Sequence, residues 1–284
     1  ATRCDAPCVS RQREMACVRW AHTTFHIAVH PPEVDSYISR RLRRGGLSFP
    51  RGYEQLLNEL PPAALIFDLG ANIGATALPA AVLGHDIVAV EPLPINAELL
   101  AHSVRANCNL SVSVNQFALS DQPGRAVMSV AGASPAASTL GNASRLSKSF
   151  RFDRKRTTVP VMVETGDRLL LPRLRAHRGA WAMKLDVEGF ELRALDGMQQ
   201  LFTLARRRPP LWLAMEFFPQ MLRAAGTDPV ELLQRLSAYH FDCGLKRADR
   251  KAFPSREELE AYVHAIGIDA HNDLICRHTA RRDW

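Results

Sequence analysis

The feature that most constrains this chain is a short apolar run, residues 64–69, that ends in the turn FDLGANIG at 67–74. A continuously apolar strand has no solvent-facing side, so it belongs inside a parallel sheet. The glycine-bearing turn leads into a helix-like segment at 75–83, closed by Gly84. Apolar strands and helical periods then alternate. Strands are expected at 87–90, 112–119, 126–131, 159–164, 182–187, 211–217, 241–246 and 273–277. Helices are expected at 97–107, 190–205, 230–239 and 256–266. Such alternation builds an α/β fold: an open, mostly parallel sheet with helices on both faces.

Flanking segments read differently. Residues 1–32 lack a clear period and read as an irregular arm of unassigned role, with His22, His26 and His30 four residues apart. Residues 33–60 read as an N-terminal helical extension, with helices at 34–44 and 53–60. Residues 61–284 form the main domain. Residues 132–157 are rich in Ser, Ala and Arg without apolar period, as in a lid, a binding loop or a disordered stretch.

With 284 residues and 46% hydrophobic content, the chain is not a disordered one. No apolar run approaches the roughly 18–20 residues of a membrane span. The formal charge is +7, and only five of the 36 basic residues are Lys. Basic clusters at 40–44, 151–156 and 206–208 are not interleaved with aromatics, so nucleic acid is not the expected partner. Cysteines at 4, 8, 17, 108, 243 and 276 match neither a zinc nor an iron–sulfur spacing. With the sequons at Asn109 and Asn142, they favour a secretory-pathway lumen or extracellular setting, with an N-terminal disulfide as one option.

In open α/β sheets, ligands bind at the carboxyl ends of the strands. Gly70 lacks a Cβ, which lets the backbone come close to a ligand, and Gly74 allows tight packing at the helix start. The Gly70–Asn72–Gly74 spacing is not the G-x-G-x-x-G of a dinucleotide site, and a phosphate-cradling G-x-x-x-x-G-K-[ST] is absent. Asp68 at this turn suits a cationic cofactor. S-adenosylmethionine, with its sulfonium and ammonium groups, fits. Glu91, in VAVEP, lies 23 residues beyond Asp68, about where an acidic side chain meets ribose hydroxyls.

In MKLDVEGFEL, Lys184, Asp186 and Glu188 alternate with apolar residues and so share one strand face. Charges on a central strand must be paired or open to a cleft. Three readings follow. Glu188 is the first candidate for a catalytic base and Asp186 the second, with Lys184 keeping a carboxylate ionised. A divalent ion such as Mg²⁺ on Asp186, Glu188 and Glu216 is an alternative. In the third, Lys184 pairs with Asp186 and Glu188 caps the next helix.

The chain resembles the FkbM-type methyltransferases. The matching pieces are DSYIS (35–39), FDLGANIG, VAVEPLP (88–94), NQFALSD (115–121) with Gly124, the 166–169 turn, MKLDVEGFE, LAMEFF (213–218) and HNDLICRH (271–278). The resemblance implies a class I methyltransferase sheet of seven strands, the last antiparallel. It implies Asp68, Gly70 and Asn72 at the methionine end of the cofactor, Glu91 at the ribose, and Ala118 and Asp121 near the adenine. The implied reaction is S-adenosylmethionine-dependent O-methylation of a sugar, glycan or small hydroxylated metabolite. Alternatives are a non-catalytic glycan- or partner-binding module and an RNA methyltransferase.

Overall fold

The computed structural model describes residues 14–35, 37–47, 49–50, 52–131, 134–140, 156–245, 255–267 and 270–279. A hairpin of β1 (Met15–Trp20) and β2 (Thr23–Ala28) leads to two short helices, α1 (Ile38–Arg43) and α2 (Tyr53–Asn58). Strands and helices then alternate through β3 (Leu65–Leu69), α3 (Ala77–Val82), β4 (Asp86–Val90), α4 (Pro94–Ala106) and β5 (Val112–Asn115). A second sheet follows: β6 (Ala118–Leu119), β7 (Gly124–Ala131), β8 (Ser134–Leu140) and β9 (Arg156–Glu164). The main sheet resumes through α5 (Gly166–Ala176), β10 (Trp181–Leu185), α6 (Glu191–Asp196), α7 (Gln199–Ala205) and β11 (Leu213–Phe217). It closes with α8 (Pro219–Ala224), α9 (Pro229–Ala238), β12 (Phe241–Gly244), α10 (Arg256–Ile266) and β13 (Asn272–His278).

The seven strands of the main sheet lie in the order β12–β13–β11–β10–β3–β4–β5. Only β13 runs against its neighbours β11 and β12. This is the expected class I methyltransferase sheet, last strand reversed. Central strands β3, β10 and β11 are buried at every position, apolar except for one charged residue each, Asp68, Lys184 and Glu216. Leu65, Phe67, Leu69, Met183, Leu185 and Met215 face one helical layer. Ile66, Ala182, Ala214 and Ala89 face the other, which includes α3, α4 and the hairpin. Continuing that second column to the strand ends brings Asp68, Lys184 and Glu216 onto one side of the sheet.

Several expectations need correction. Residues 15–28 are not an irregular arm: Ala16, Val18, Phe25 and Ile27 alternate inward and bury the hairpin's face. His22 sits in the hairpin turn, His26 on β2 and His30 beyond it. The strand expected at 112–119 is two strands in different sheets. The helix expected at 190–205 is two helices, parted at Gly197 and Met198. Within the loop expected at 132–157, residues 134–140 pair with β7 as a strand; residues 141–155, with Asn142, lie outside the described residues. Helices α5 and α8 went unpredicted. The strand carrying Lys184 stops at Leu185, so Asp186 and Glu188 sit in the following loop.

Cys243 and Cys276 lie directly opposite on β12 and β13 and form a buried disulfide. Cys108 is also disulfide-bonded, whereas Cys17 is a free thiol. Cys4 and Cys8 lie outside the described residues. The Cys243–Cys276 link closes a sequence separation of 33 residues. A Cys243→Ala/Cys276→Ala double variant should lose about 2–4 kcal/mol of unfolding free energy in denaturant titration.

Candidate functional site

Register builds the site. Lys184 on β10 stands directly beside Asp68 on β3. Its ammonium is 3.4 Å from Asp68 Oδ1 and 3.2 Å from Asp186 Oδ2, and donates to the Gly70 carbonyl at 2.7 Å. The Thr76 hydroxyl donates to Asp68 Oδ2 at 2.5 Å. Asp68 is wholly buried, while the Asp186 side chain is about one-third exposed. Burial alone would lower the Lys184 pKa, but Asp186 and Asp68 reverse that and hold it above its ordinary value.

The turn that follows is tight. Gly70 has φ +80°, and a Cβ there would lie 1.7 Å from the Asp186 carbonyl oxygen. The close approach at Gly70 is therefore to the protein's own backbone. Gly74, at φ +96°, lies where a Cβ would meet Leu100 of α4 at 2.4 Å, the tight packing its position predicts. Asn72 takes φ +51°, and its backbone N–H donates to Glu91 Oε2 at 2.9 Å.

Glu91 ends buried at the rim of β4. Its Oε1 accepts from Leu93 N at 2.9 Å and from Asn96 Nδ2 at 3.3 Å. A carboxylate has about four acceptor positions, so Oε2 keeps one beyond Asn72. Burial pushes Glu91 up to about 7, against the pull of these hydrogen bonds.

Beyond β10 lies an acidic cluster. Asp186, Glu188 and Glu216 each offer a carboxylate oxygen within 4.8 Å of the others, a set that could hold a metal ion. Glu188 sits at φ +55°. Burial, then Glu216 and Asp186, push its carboxyl well above the usual range. Glu216 Oε1 is 2.7 Å from His271 Nε2, and this bond raises His271 to about 9. Glu191, the first residue of α6, folds back onto the loop: its Oε1 accepts from Val187 N and Gly189 N, while the N-cap of α6, Phe190, has no side-chain cap bond, so Glu188 does not cap that helix. Burial and Glu216 raise Glu191 to about 8.

The structure thus joins Asp68, Gly70, Lys184 and Asp186, and adjoins Glu188 and Glu216. Glu91 and Asn72 form the next pair along the rim. Ala118 is buried on β6, and Asp121 beyond it pairs with Arg193 of α6 at 3.6 Å. Sequence reasoning missed Thr76, Asn96, Glu191 and His271. Of these, only Glu191 left a local signal, an acidic residue in the first turn of a helix.

No curated protein matches the chain. Among solved structures, it resembles a TehB-like SAM-dependent methyltransferase from Corynebacterium glutamicum at 12% identity, covering 84% of this chain and 93% of that one, TM-score 0.41. It resembles a B. subtilis tRNA methyltransferase at 9% identity, with 82% and 67% covered, TM-score 0.40. A third likeness is to magnesium protoporphyrin IX methyltransferase from Synechocystis with bound SAM, at 11% identity, with 86% and 84% covered, TM-score 0.40. The model of the methyltransferase FkbM domain matches residues 68–244. That match starts at Asp68, takes in the Gly70 turn, Glu91 and the 184–188 loop, and spans more than half of the sequence: the chain belongs to the FkbM methyltransferase family.

Proposed function

We propose that the chain is an S-adenosylmethionine-dependent O-methyltransferase acting on a hydroxyl of a sugar, glycan or small hydroxylated metabolite. The observation that carries this reading is the rim formed by the Asp68–Gly70 turn and Glu91, whose Oε2 keeps an acceptor position beyond Asn72 that a ribose hydroxyl can fill. The Asp186 carboxylate, one-third exposed beside that turn, suits the cationic end of a sulfonium cofactor. Asp68, Gly70 and Asn72 would face its methionine end, Glu91 Oε2 a ribose hydroxyl, and Ala118 and Asp121 the adenine. When bound, the cofactor supplies an electrophilic methyl group.

The chain's own residues do the rest. A hydroxyl is a poor nucleophile, and its proton must leave as the new bond forms. Glu188 would take that proton, its carboxyl lying beside those of Asp186 and Glu216 at the end of the sheet. Asp186 stands second for this task. Lys184, buried between two aspartates, is a positioning residue that fixes Asp186 and the Gly70 turn. The buried Cys243–Cys276 disulfide supports an oxidising compartment, lumenal or extracellular. Among the described residues, no helix is long and apolar enough to cross a membrane.

A second reading is favoured by the 4.8 Å grouping of Asp186, Glu188 and Glu216: a divalent cation such as Mg²⁺ that binds the acceptor oxygen. One set of assays separates the two. Calorimetry with S-adenosylhomocysteine should give saturable binding to the wild type and to Glu188→Gln alike. Methyl transfer to a panel of sugars and hydroxylated metabolites should fall about 10²–10⁴-fold in Glu188→Gln and resist a chelator. Loss of wild-type turnover on chelation would favour the cation. Absence of S-adenosylhomocysteine binding would favour a non-catalytic module.

A further inference from the structure

Behind Glu91 runs a string of buried polar groups that reaches out of the family-matched region. Asn96, on the first turn of α4, donates through Nδ2 to Glu91 Oε1 at 3.3 Å. Its Oδ1 lies 2.7 Å from His30 Nε2. Because Oδ1 is an acceptor, the His30 ring must present an Nε2–H. His30 is held in turn. Its backbone N–H donates to Ser39 Oγ at 3.1 Å, and the Ser39 hydroxyl and amide both donate to Asp35 Oδ2. Arg43 donates to the His30 carbonyl. His30, Asp35, Ser39, Asn96 and Glu91 are all buried.

Direction matters in such a string. An asparagine amide offers oxygen on one side and nitrogen on the other. With His30 donating to Oδ1, the Nδ2 side must turn to Glu91, and the carboxylate meets a donor. Without that donor the amide is free to flip, which would set its oxygen against the Glu91 carboxylate. A half-satisfied buried network is worse than none.

We propose that His30 and Asn96 are positioning residues for Glu91, so that the N-terminal segment helps build the ribose end of the cofactor pocket. This rests on the S-adenosylmethionine reading above. His30 lies 38 residues ahead of the matched region that starts at residue 68, and its partner Asn96 is 66 positions away. The segment from the hairpin to α1 is then part of the site rather than an appendage to it.

The test uses the full chain and calorimetry with S-adenosylhomocysteine. His30→Ala should weaken binding about tenfold. His30→Gln, whose amide N–H can stand where the imidazole Nε2–H stands, should restore wild-type affinity. In a Glu91→Gln background, His30→Ala should have no further effect, because the group it orients is already altered. Asn96→Asp keeps the volume and the acceptor for His30 but turns a carboxylate toward Glu91. It should also weaken binding about tenfold. Wild-type affinity in both His30→Ala and Asn96→Asp would overturn the proposal. An equal loss from His30→Ala with and without Glu91 would overturn it too, as an effect on the fold in general. A wild type that binds nothing overturns the cofactor reading itself, whereas a binding wild type with unaffected variants sinks only the positioning role.

Discussion

Lys184→Met should cost roughly 3–5 kcal/mol of unfolding free energy near neutral pH. The ammonium sits between two carboxylates with only 4% of its side chain exposed, and donates to the Gly70 carbonyl. Methionine fills much of the volume but leaves the wholly buried Asp68 with the Thr76 hydroxyl and no neighbouring cation from β10. An unpaired buried carboxylate either stays charged at high cost or takes up a proton.

The pH dependence follows from the sign of each shift. In the wild type, Lys184 is held above its ordinary value. Its contribution is therefore complete below the unfolded lysine's pKa of about 10.4 and is lost only as the pH rises through the higher folded value. Across the neutral range it is constant. The gap between wild type and variant should therefore hold across the neutral range in urea titrations. A gap under about 1 kcal/mol there would show that Lys184 does not bind the two strand ends together. Lys184→Arg should not restore stability, because a planar guanidinium cannot converge one compact charge on three acceptors.

Much of this fold is legible in the sequence because buried parallel strands show as short apolar runs interrupted by at most one charge. β3, β4, β10 and β11 were readable for that reason. The failures have particular causes. Residues 112–115 alternate, but Asn115 and Gln116 are both polar and Phe117 to Leu119 all apolar; that break in period is the one local mark of the change of sheets between Asn115 and Ala118, and it is easily read as an irregularity within one strand. Gly197 does not interrupt the helical period around it. Its reason is distant: a Cβ there would lie 2.1 Å from the Ser120 carbonyl oxygen. β8, with its small and polar residues, owes its strand form to pairing with β7 rather than to an apolar pattern. The hairpin did leave a signal, in the two-residue alternation of Ala16 with Val18 and of Phe25 with Ile27.

At the site, the residue types were readable and their partners were not. Asp68, Glu91 and the Lys184–Asp186–Glu188 series break an apolar pattern, and such breaks mark places where something other than packing decides. Whether those charges are paired depends on strand register, which placed Lys184 against Asp68 across 116 residues of sequence. The expectation of three charges on one strand face fails beyond Leu185, yet its consequence survives. Glu216, two residues past the position paired with Lys184, reaches the same side from the neighbouring strand. Pairs such as His271 with Glu216 or His30 with Asn96 join segments with no shared pattern.

Gly70→Ala should destabilise the fold by more than any other single methyl group in this site. Two penalties combine. The backbone at φ +80° disfavours an L side chain, which costs about 1–2 kcal/mol. The added Cβ would also lie 1.7 Å from the Asp186 carbonyl oxygen and 2.8 Å from its carbonyl carbon. Backbone cannot rotate away as a side chain can. Asp186 N donates to Leu69 O at 3.0 Å, and Gly70 N donates to Val90 O at 2.9 Å, so both sides of the clash are tied into the sheet. Relief requires parting β3 from the loop after β10, which also pulls the Gly70 carbonyl from Lys184. Gly84→Ala is the control. Gly84 has φ +88° but nothing within 4 Å of its Cβ position, so it reports the backbone penalty alone. Chemical unfolding should show about 1–2 kcal/mol lost in Gly84→Ala and at least about 3 kcal/mol more in Gly70→Ala, or no soluble protein at all. Equal losses would mean that the turn has room to yield and that the Gly70–Asp186 contact does not fix the rim. If Gly70→Ala does fold, S-adenosylhomocysteine binding should still fall, because the displaced turn carries Asp68 and Asn72 with it.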